Sequence, residues 1–201
     1  KVSTLGQFPI EIIMLTDISP ENLAQECDET GGILSVTVFD ALGALVSSPL
    51  IEVKDPVTNT TLKTATPSSG QHYFSLAASD YKVIVSKAGY SSERTYGPEE
   101  IATPSNPHPI VLEGQLTELS LPIDILSSFS VDTVTVAEGS IFPVGSVTFN
   151  LKGEKLIGFD AQEEPVYKYS EDYTSNPQGH VDILNLEWDN YTFSIVSPPD
   201  L

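Results

Sequence analysis

The sequence has 201 residues, of which 40% are hydrophobic, and its 28 acidic and 9 basic residues give a formal net charge of −19. A chain of this length buries one medium-sized core or two small ones. The single arginine and the scattered lysines form no basic stripe, which argues against a nucleic-acid partner. No run of about 18 apolar residues is present, so no transmembrane segment is predicted.

The fifteen prolines and thirteen glycines interrupt the chain too often for a long helical period. Short strands separated by turns are typical of a β-sandwich, and we therefore predict an all-β fold. The acidity is typical of a solubilising coat on a secreted or surface protein, and a calcium site or a cationic partner is the alternative.

Residues 1–30 are predicted to hold an N-terminal strand and a linker. The apolar strand covers positions 8–15, and Ser19 caps a turn or a single helical turn that follows it. A lone strand needs a sheet, so it either joins the next domain or closes a truncated preceding one. Cys27 lies among carboxylates that disfavour its thiolate, which predicts an inert thiol. The start at Lys1, without a leader, indicates a mature or excised fragment.

A pattern that occurs twice predicts tandem domains. In both copies a Gly-centred turn opens a short strand, and a tyrosine then begins an alternating strand. The matching segments are 69–76 with 80–85 in the first copy, and 178–184 with 189–196 in the second. Self-similarity on this scale predicts two β-sandwich domains, at 31–125 and at 126–201.

Each domain is predicted to have its own core, because the apolar residues of its strands alternate. The predicted core residues are Leu34, Val36, Ile51, Phe74, Tyr81 and Val83 in the first domain, and Phe129, Val147, Phe149, Ile183, Tyr191 and Phe193 in the second.

The two domains are predicted to be held at a nearly fixed angle in an elongated rod. The chain passes from position 121 to 129 without a flexible Gly or Ser spacer, which restricts hinge motion. The second domain is about fourteen residues longer between its opening strand and its Gly turn. We place this insertion at 152–173, where the copies differ most.

A search for catalytic chemistry predicts no enzyme. The three histidines, His72, His108 and His180, lack metal-ligand spacing, and one cysteine excludes a structural zinc site. No Gly-rich phosphate loop and no G-x-S-x-G elbow occurs. The sequence therefore predicts no catalytic residue, no cofactor-binding residue and no metal ligand, and His72 and His180 are interpreted as matching surface residues at strand starts.

The insertion and the residues after it hold the candidate ligand contacts. Aromatic side chains stack on sugar rings, and carboxylates select calcium or cationic partners. The candidates are Trp188, Tyr167, Tyr169, Tyr173, Glu163 and Glu164. The alternatives are a structural hairpin whose tyrosines pack on their own sheet and a Trp188 that covers the core. The alternation of positions 166–169 favours the hairpin, and the place of Trp188 at the end of the sandwich favours packing.

Several of these segments resemble the carboxypeptidase regulatory-like family of transthyretin-like β-sandwiches, which is close in architecture to the Cna-B repeats of bacterial adhesins. The matching positions are 34–40, Gly43, Pro49, 51–53, 70–76, 81–85 and 87–90, and in the second domain 179–196. The resemblance implies two tandem Ig/transthyretin-like (prealbumin-like) domains without peptidase activity. Cna-B relatives often carry a Lys–Asn isopeptide bond, but neither opening strand here contains a lysine.

Residues 10–20, followed by such domains, also resemble pilin-like surface proteins of uncultured bacteria. This resemblance implies an extracellular or cell-surface location and a larger parent protein. The function we expect is a non-catalytic stalk or spacer that contacts its neighbouring domains and a host or cell-surface protein or glycan. The alternatives are a carbohydrate-binding module and an accessory domain of a secreted hydrolase.

Overall fold

The computed structural model of the chain describes residues 31–197. Every regular element in this range is a β-strand, which confirms the all-β prediction. The predictions for the strand at 8–15, for the turn at Ser19 and for Cys27 lie outside the described residues. The strands are β1 (Gly31–Phe39), β2 (Leu50–Lys54), β3 (Thr61–Ala65), β4 (Gln71–Ala77), β5 (Ser79–Asp80), β6 (Lys82–Ser86), β7 (Glu93–Arg94), β8 (Thr103–Pro104), β9 (Ile110–Val111), β10 (Leu116–Pro122), β11 (Ser127–Asp132), β12 (Val134–Ala137), β13 (Ser140–Pro143), β14 (Thr148–Gly153), β15 (Leu156–Phe159), β16 (Pro165–Tyr167), β17 (Ser170–Thr174), β18 (His180–Leu186) and β19 (Tyr191–Ser197).

The N-terminal sheets, formed by β1 to β10, enclose the larger core. One sheet has the order β10-β1-β4, with β10 parallel and β4 antiparallel to β1, and the other has the order β3-β2-β6-β7. All six residues predicted for the first core are buried in it. The buried cluster comprises Leu34, Val36, Val38, Val46, Ile51, Val53, Phe74, Leu76, Tyr81, Val83, Val85, Val111, Leu121 and Ile123.

The C-terminal sheets, formed by β11 to β19, enclose a smaller core. Here β11 pairs with β18, and a second sheet has the order β17-β14-β19. The buried cluster consists of Phe149, Leu151, Ile183 and Leu186, with Tyr191 partly buried against it. Of the other residues predicted for this core, Val147 is buried, but Phe129 and Phe193 remain 37% and 50% exposed.

The sequence pattern that occurs twice corresponds to backbone geometry that also occurs twice. Gly70 and Gly179 have φ angles of 75° and 78°, which L side chains rarely adopt. The Tyr81 hydroxyl donates to the carbonyl four residues earlier at 2.9 Å, and the Tyr191 hydroxyl does the same at 3.0 Å. Alignment on the two glycines places His180 opposite Gln71, so the predicted match of His180 with His72 is wrong by one position.

The added length of the C-terminal sheets lies in two places, whereas the sequence predicted a single insertion at 152–173. One part is the β15–β16 hairpin within that range, after which β17 returns to pair with β14. The other part is the β12–β13 hairpin, which extends the turn between the first two long strands. The alternation of apolar and polar residues does not show that the added length is divided between two hairpins, because the strands of both hairpins are short.

Candidate functional site

The most developed polar site lies where the N-terminal and C-terminal sheets meet. Lys168 Nζ lies 2.8 Å from Glu93 Oε2, which belongs to the N-terminal sheets, and 2.9 Å from Glu187 Oε2. The two glutamate side chains are only 7% and 9% exposed. Burial alone lowers the pKa of Lys168, but the carboxylates of Glu93 and Glu187 outweigh it and raise the pKa. The lysine is therefore charged at neutral pH.

A second lysine extends this network. Lys155 Nζ lies 3.5 Å from Asp124 Oδ2 and 3.5 Å from Glu187 Oε2. Asp124 is buried, and its other carboxylate oxygen accepts a hydrogen bond from the Ala41 amide at 2.6 Å. We call Glu93, Asp124, Lys155, Lys168 and Glu187 the junction network.

Backbone contacts flank the junction network. β15 pairs with β8, and the Ser105 amide donates to the Ile157 carbonyl at 2.9 Å. Gly158 makes this approach possible, because a Cβ there would lie 2.3 Å from the Thr103 carbonyl oxygen. The isolated bridge of Tyr90 with Ile125 lies next to these contacts, within residues 31–125. The 152–173 region thus contacts the N-terminal sheets.

A cleft of about 320 Å³ opens beside the junction network, lined by residues that include Tyr90, Ser91, Lys168 and Glu187. In residues 31–197, every buried side-chain nitrogen or oxygen has a hydrogen-bond partner. The charges at the junction are thus satisfied by protein groups, which is typical of a structural contact.

The tyrosines of the insertion pack on their own sheets. Tyr169 and Tyr173 lie partly buried against the C-terminal core and their hydroxyls are hydrogen-bonded to each other. The Tyr167 ring lies 4.3 Å from Lys152 Nζ. These contacts agree with the structural hairpin that the alternation of positions 166–169 favours, and whether any of the three tyrosines binds a ligand stays a prediction.

Trp188 is 70% exposed, so the prediction that it packs over the core is wrong. The reason lies in its neighbours. Glu187 turns inward to Lys168, and the carboxylate of Asp189 accepts a hydrogen bond from the Lys155 amide at 3.0 Å. Because both neighbours face the junction, the side chain between them points to solvent.

In the part of the chain that the structure describes, the carboxylates of the insertion form no group of three or more whose ligand atoms lie within 4.8 Å of one another, and calcium binding there stays a prediction. Glu163 and Glu164 are exposed in the β15–β16 turn, where Asp160 accepts hydrogen bonds from the amides of Gln162 and Glu164. Asp172 accepts a hydrogen bond from the Asn150 amide group at 2.8 Å.

One metal-compatible group occurs in the described part of the chain, and the sequence reasoning missed it. Ligand atoms of Glu99, Glu100 and His108 lie within 4.8 Å of one another. Both oxygens of Glu100 are engaged by Arg94 Nη1, at 2.8 and 2.9 Å, and His108 Nδ1 lies 2.8 Å from Thr95 Oγ1. Because the Arg94 guanidinium already neutralises the Glu100 carboxylate, we interpret this group as an ion-pair cluster.

The junction network was also missed from the sequence. Its five members come from distant positions, and only the place of Lys168 in an alternating apolar segment distinguishes it from other lysines. Lys168 lies between two tyrosines, just after β16 ends at Tyr167, and a lysine enclosed by apolar residues requires a partner for its charge.

No model of a known protein family matches the chain, and no curated protein matches it either. Among solved structures, it is similar to the TIE protein of Bacillus anthracis, with 17% identity over 85% of this chain and 29% of that chain and a TM-score of 0.36. It is similar to a streptococcal ancillary pilin, with 13% identity over 86% and 55% of the two chains and a TM-score of 0.36. A DUF3823 family protein from Parabacteroides merdae shares 14% identity over 81% and 82%, with a TM-score of 0.31.

The chain spans 29% and 55% of the lengths of the first two of these structures. Likeness at this level leaves fold and function to be argued from the molecule itself. Within residues 31–197, no helix is long and apolar enough to cross a membrane.

Proposed function

We propose that the chain is a non-catalytic stalk or spacer of a bacterial surface or secreted protein. In this proposal it consists of two Ig/transthyretin-like β-sandwich domains, at 31–125 and at 126–201, preceded by a strand and linker at 1–30. It holds neighbouring domains of a larger parent protein apart and presents them to a host or cell-surface protein or glycan.

The junction network is the observation that carries the proposal. Lys168 binds a carboxylate from each set of sheets, and both carboxylates are almost fully buried. Bending at the junction would separate these charges, and removing one partner of a buried ion pair costs about 3 kcal/mol or more. The β8–β15 pairing resists the same motion at a second point. Two such contacts, on different elements, favour one fixed angle.

Small-angle X-ray scattering tests this stiffness. We expect the scattering of the wild-type chain to fit one elongated conformer. The double substitution Lys168→Met with Gly158→Val should widen the distribution of shapes, because it removes both junction contacts. Lys63→Met, on the exposed strand β3, is the matched control and should scatter like the wild type. A wild-type chain that needs a broad ensemble of angles would contradict the stalk proposal.

A carbohydrate-binding module is the second candidate, and the 70% exposure of Trp188 favours it. An exposed indole offers a flat apolar face on which a sugar ring can stack. A glycan array with the wild-type chain and Trp188→Ala tests this candidate. Saturable binding that Trp188→Ala abolishes, and that Tyr73→Ala on the N-terminal sheets leaves intact, would establish it. The third candidate is an accessory domain of a secreted hydrolase. It differs from the stalk only in having a catalytic domain as its neighbour in the parent protein.

A further inference from the structure

A second cleft, of about 640 Å³, lies in the N-terminal sheets and has mainly apolar walls. It is lined by residues that include Tyr96, Ile110 and four prolines, Pro56, Pro98, Pro104 and Pro107. We call it the proline cleft. Its volume lies within the range of about 300–1,000 Å³ that is typical of ligand pockets in proteins. No member of the junction network lines it, so it is separate from the polar site described above.

Backbone hydrogen bonds hold the walls of the proline cleft in place. The Tyr96 amide donates to the Asn106 carbonyl at 2.8 Å, and the His108 amide donates to the Tyr96 carbonyl at 3.1 Å. Where β5 pairs with β9, Asp80 lies opposite Ile110. Because these segments are tied to one another, a ligand meets walls that are already formed, which lowers the entropic cost of binding.

The charged groups that line the proline cleft are both acidic. Asp80 and Glu99 line it, and in residues 31–197 neither forms an ion pair. No lysine or arginine of the described chain lines it. The Arg94 guanidinium lies 4.0 Å from the centroid of the Tyr96 ring, but it donates to both carboxylate oxygens of Glu100. A cation in the cleft would therefore meet two carboxylates that no protein cation neutralises.

His108 lines the proline cleft without opposing this charge. Burial lowers the pKa of His108, although nearby carboxylates oppose the shift, so its ring is neutral at pH 7. His108 Nδ1 lies 2.8 Å from Thr95 Oγ1, which accepts a hydrogen bond from the Val83 amide at 2.9 Å. The Thr95 hydroxyl can then donate to Nδ1, which places the ring proton on Nε2. That N–H is a donor suited to a peptide carbonyl.

We propose that the proline cleft binds a segment of a partner protein in which a lysine or arginine lies next to an apolar side chain. The cation would lie beside Asp80 and Glu99. The apolar side chain would cover Val57 and Ile110, which line the cleft and are 91% and 62% exposed. Exposed apolar side chains beside a concave surface are typical of a binding site.

Charge favours a partner protein over the chain itself. Positions 16–30, which directly precede β1, contain no lysine or arginine, and their acidic residues are Asp17, Glu21, Glu26, Asp28 and Glu29. A second copy carries the same formal net charge of −19 and is repelled. The same charge attracts a basic partner and speeds its encounter at low ionic strength.

NMR titration of the isotope-labelled 201-residue chain with the peptide acetyl-Phe-Lys-Phe-amide tests the proposal. We expect saturable shifts of the amides of Asp80, Glu99, His108 and Ile110, and weaker binding at high salt. Acetyl-Phe-Gln-Phe-amide keeps the apolar groups without the cation, and acetyl-Gly-Lys-Gly-amide keeps the cation without the apolar groups. Each should bind at least about tenfold more weakly.

Two pairs of substitutions locate the charge effect. Asp80→Asn with Glu99→Gln should weaken binding of the Phe-Lys-Phe peptide about tenfold, because it removes both carboxylates of the cleft. Glu113→Gln with Glu118→Gln changes the net charge equally but lies outside the cleft, so the affinity should stay unchanged. All four positions are exposed, and thermal unfolding checks that both variants fold like the wild type.

The proposal is overturned if the amides of the cleft show no saturable shifts, if the neutral peptide binds as tightly as the charged one, or if the two double variants bind alike. Equal affinity for n-butylammonium would identify a small free cation as the occupant. Shifts of the same amides on concentrating the chain alone would identify a second copy. Either result also overturns the proposal. Failure here leaves the stalk proposal standing, because that proposal depends on the junction network.

Discussion

His180 and His108 have neighbours that shift their pKa values in opposite directions. A hydrogen bond to Asp132, at 2.7 Å, raises the pKa of His180, and Asp182 adds to the effect. The stabilisation from this pair is therefore present below the unfolded-state pKa of about 6.5 and is lost as pH rises through the folded-state pKa. Burial lowers the pKa of His108, although Glu99, Glu100 and Asp80 oppose the shift. The contribution of His108 to the stability of the fold is therefore present above pH of about 6.5, the unfolded-state pKa. It is lost as pH falls through the folded-state pKa.

We expect the ring resonances of His180 to titrate above pH 6.5 and those of His108 below it. NMR titration of the imidazole protons measures both in one sample. His180→Gln assigns the upper curve and His108→Gln the lower one. Identical titration midpoints for the two residues would contradict the geometry of both sites.

Lys168→Met should destabilise the chain by about 3 kcal/mol, because it leaves the buried carboxylate of Glu93 without a cation and leaves Glu187 paired with Lys155 alone. Adding Glu93→Leu to this variant should recover part of the lost free energy of unfolding, because methionine and leucine then form an apolar contact where the ion pair was. Urea unfolding measures the difference, and Lys63→Met is the control. A Lys168→Met chain as stable as the wild type would show that water already reaches these carboxylates.

At the residue scale, the sequence predicts the burial of Leu34, Val36 and Ile51 correctly, because strand alternation determines which face a side chain occupies. It fails for Trp188, whose exposure depends on the partners of Glu187 and Asp189. Those partners, Lys168 and the Lys155 amide, lie on either side of the β15–β16 hairpin, far from Trp188 in the sequence. A local pattern carries no information about them.

The β15–β16 hairpin links its sheet to the N-terminal sheets through one close backbone approach, at Gly158. Gly158→Val should separate β15 from β8, since a side chain there would overlap the Thr103 carbonyl. We expect the Ser105 amide, which donates to Ile157, to lose protection in hydrogen-exchange measurements. Gly139→Ala strains a β12–β13 turn that has open space around it and should leave the Ser105 amide protected. Equal protection of this amide in both variants would refute the role of Gly158.

Strands were predictable as elements, but their non-local partners were not. Residues 34–38, 71–76 and 81–85 show alternation and turn residues that identify strands. The pairing of β15 with β8 joins segments about fifty residues apart, and short strands of two to four residues carry no register signal. The contact of the hairpin with the N-terminal sheets therefore emerges only in three dimensions.

On the scale of the whole molecule, the two cores differ greatly in size. The buried cluster of the N-terminal sheets has fourteen residues, and that of the C-terminal sheets has four. Stability follows buried apolar area, so the C-terminal sheets should open first. Hydrogen exchange in increasing urea should release the amides of β14 and β18 before those of β1. Simultaneous release would mean that the junction couples the two cores into one cooperative unit.

The ion pairs of the junction also affect how the chain meets proteases. With only nine lysine and arginine residues, it offers a trypsin-like enzyme few places to cut. The Lys168 side chain is 18% exposed and that of Lys155 is 31% exposed, both engaged by carboxylates. Cleavage after either residue requires the local backbone to unfold into the enzyme's cleft, which first requires the two sets of sheets to part. The ion pairs of the junction would thus also slow cleavage of the chain after these two lysines.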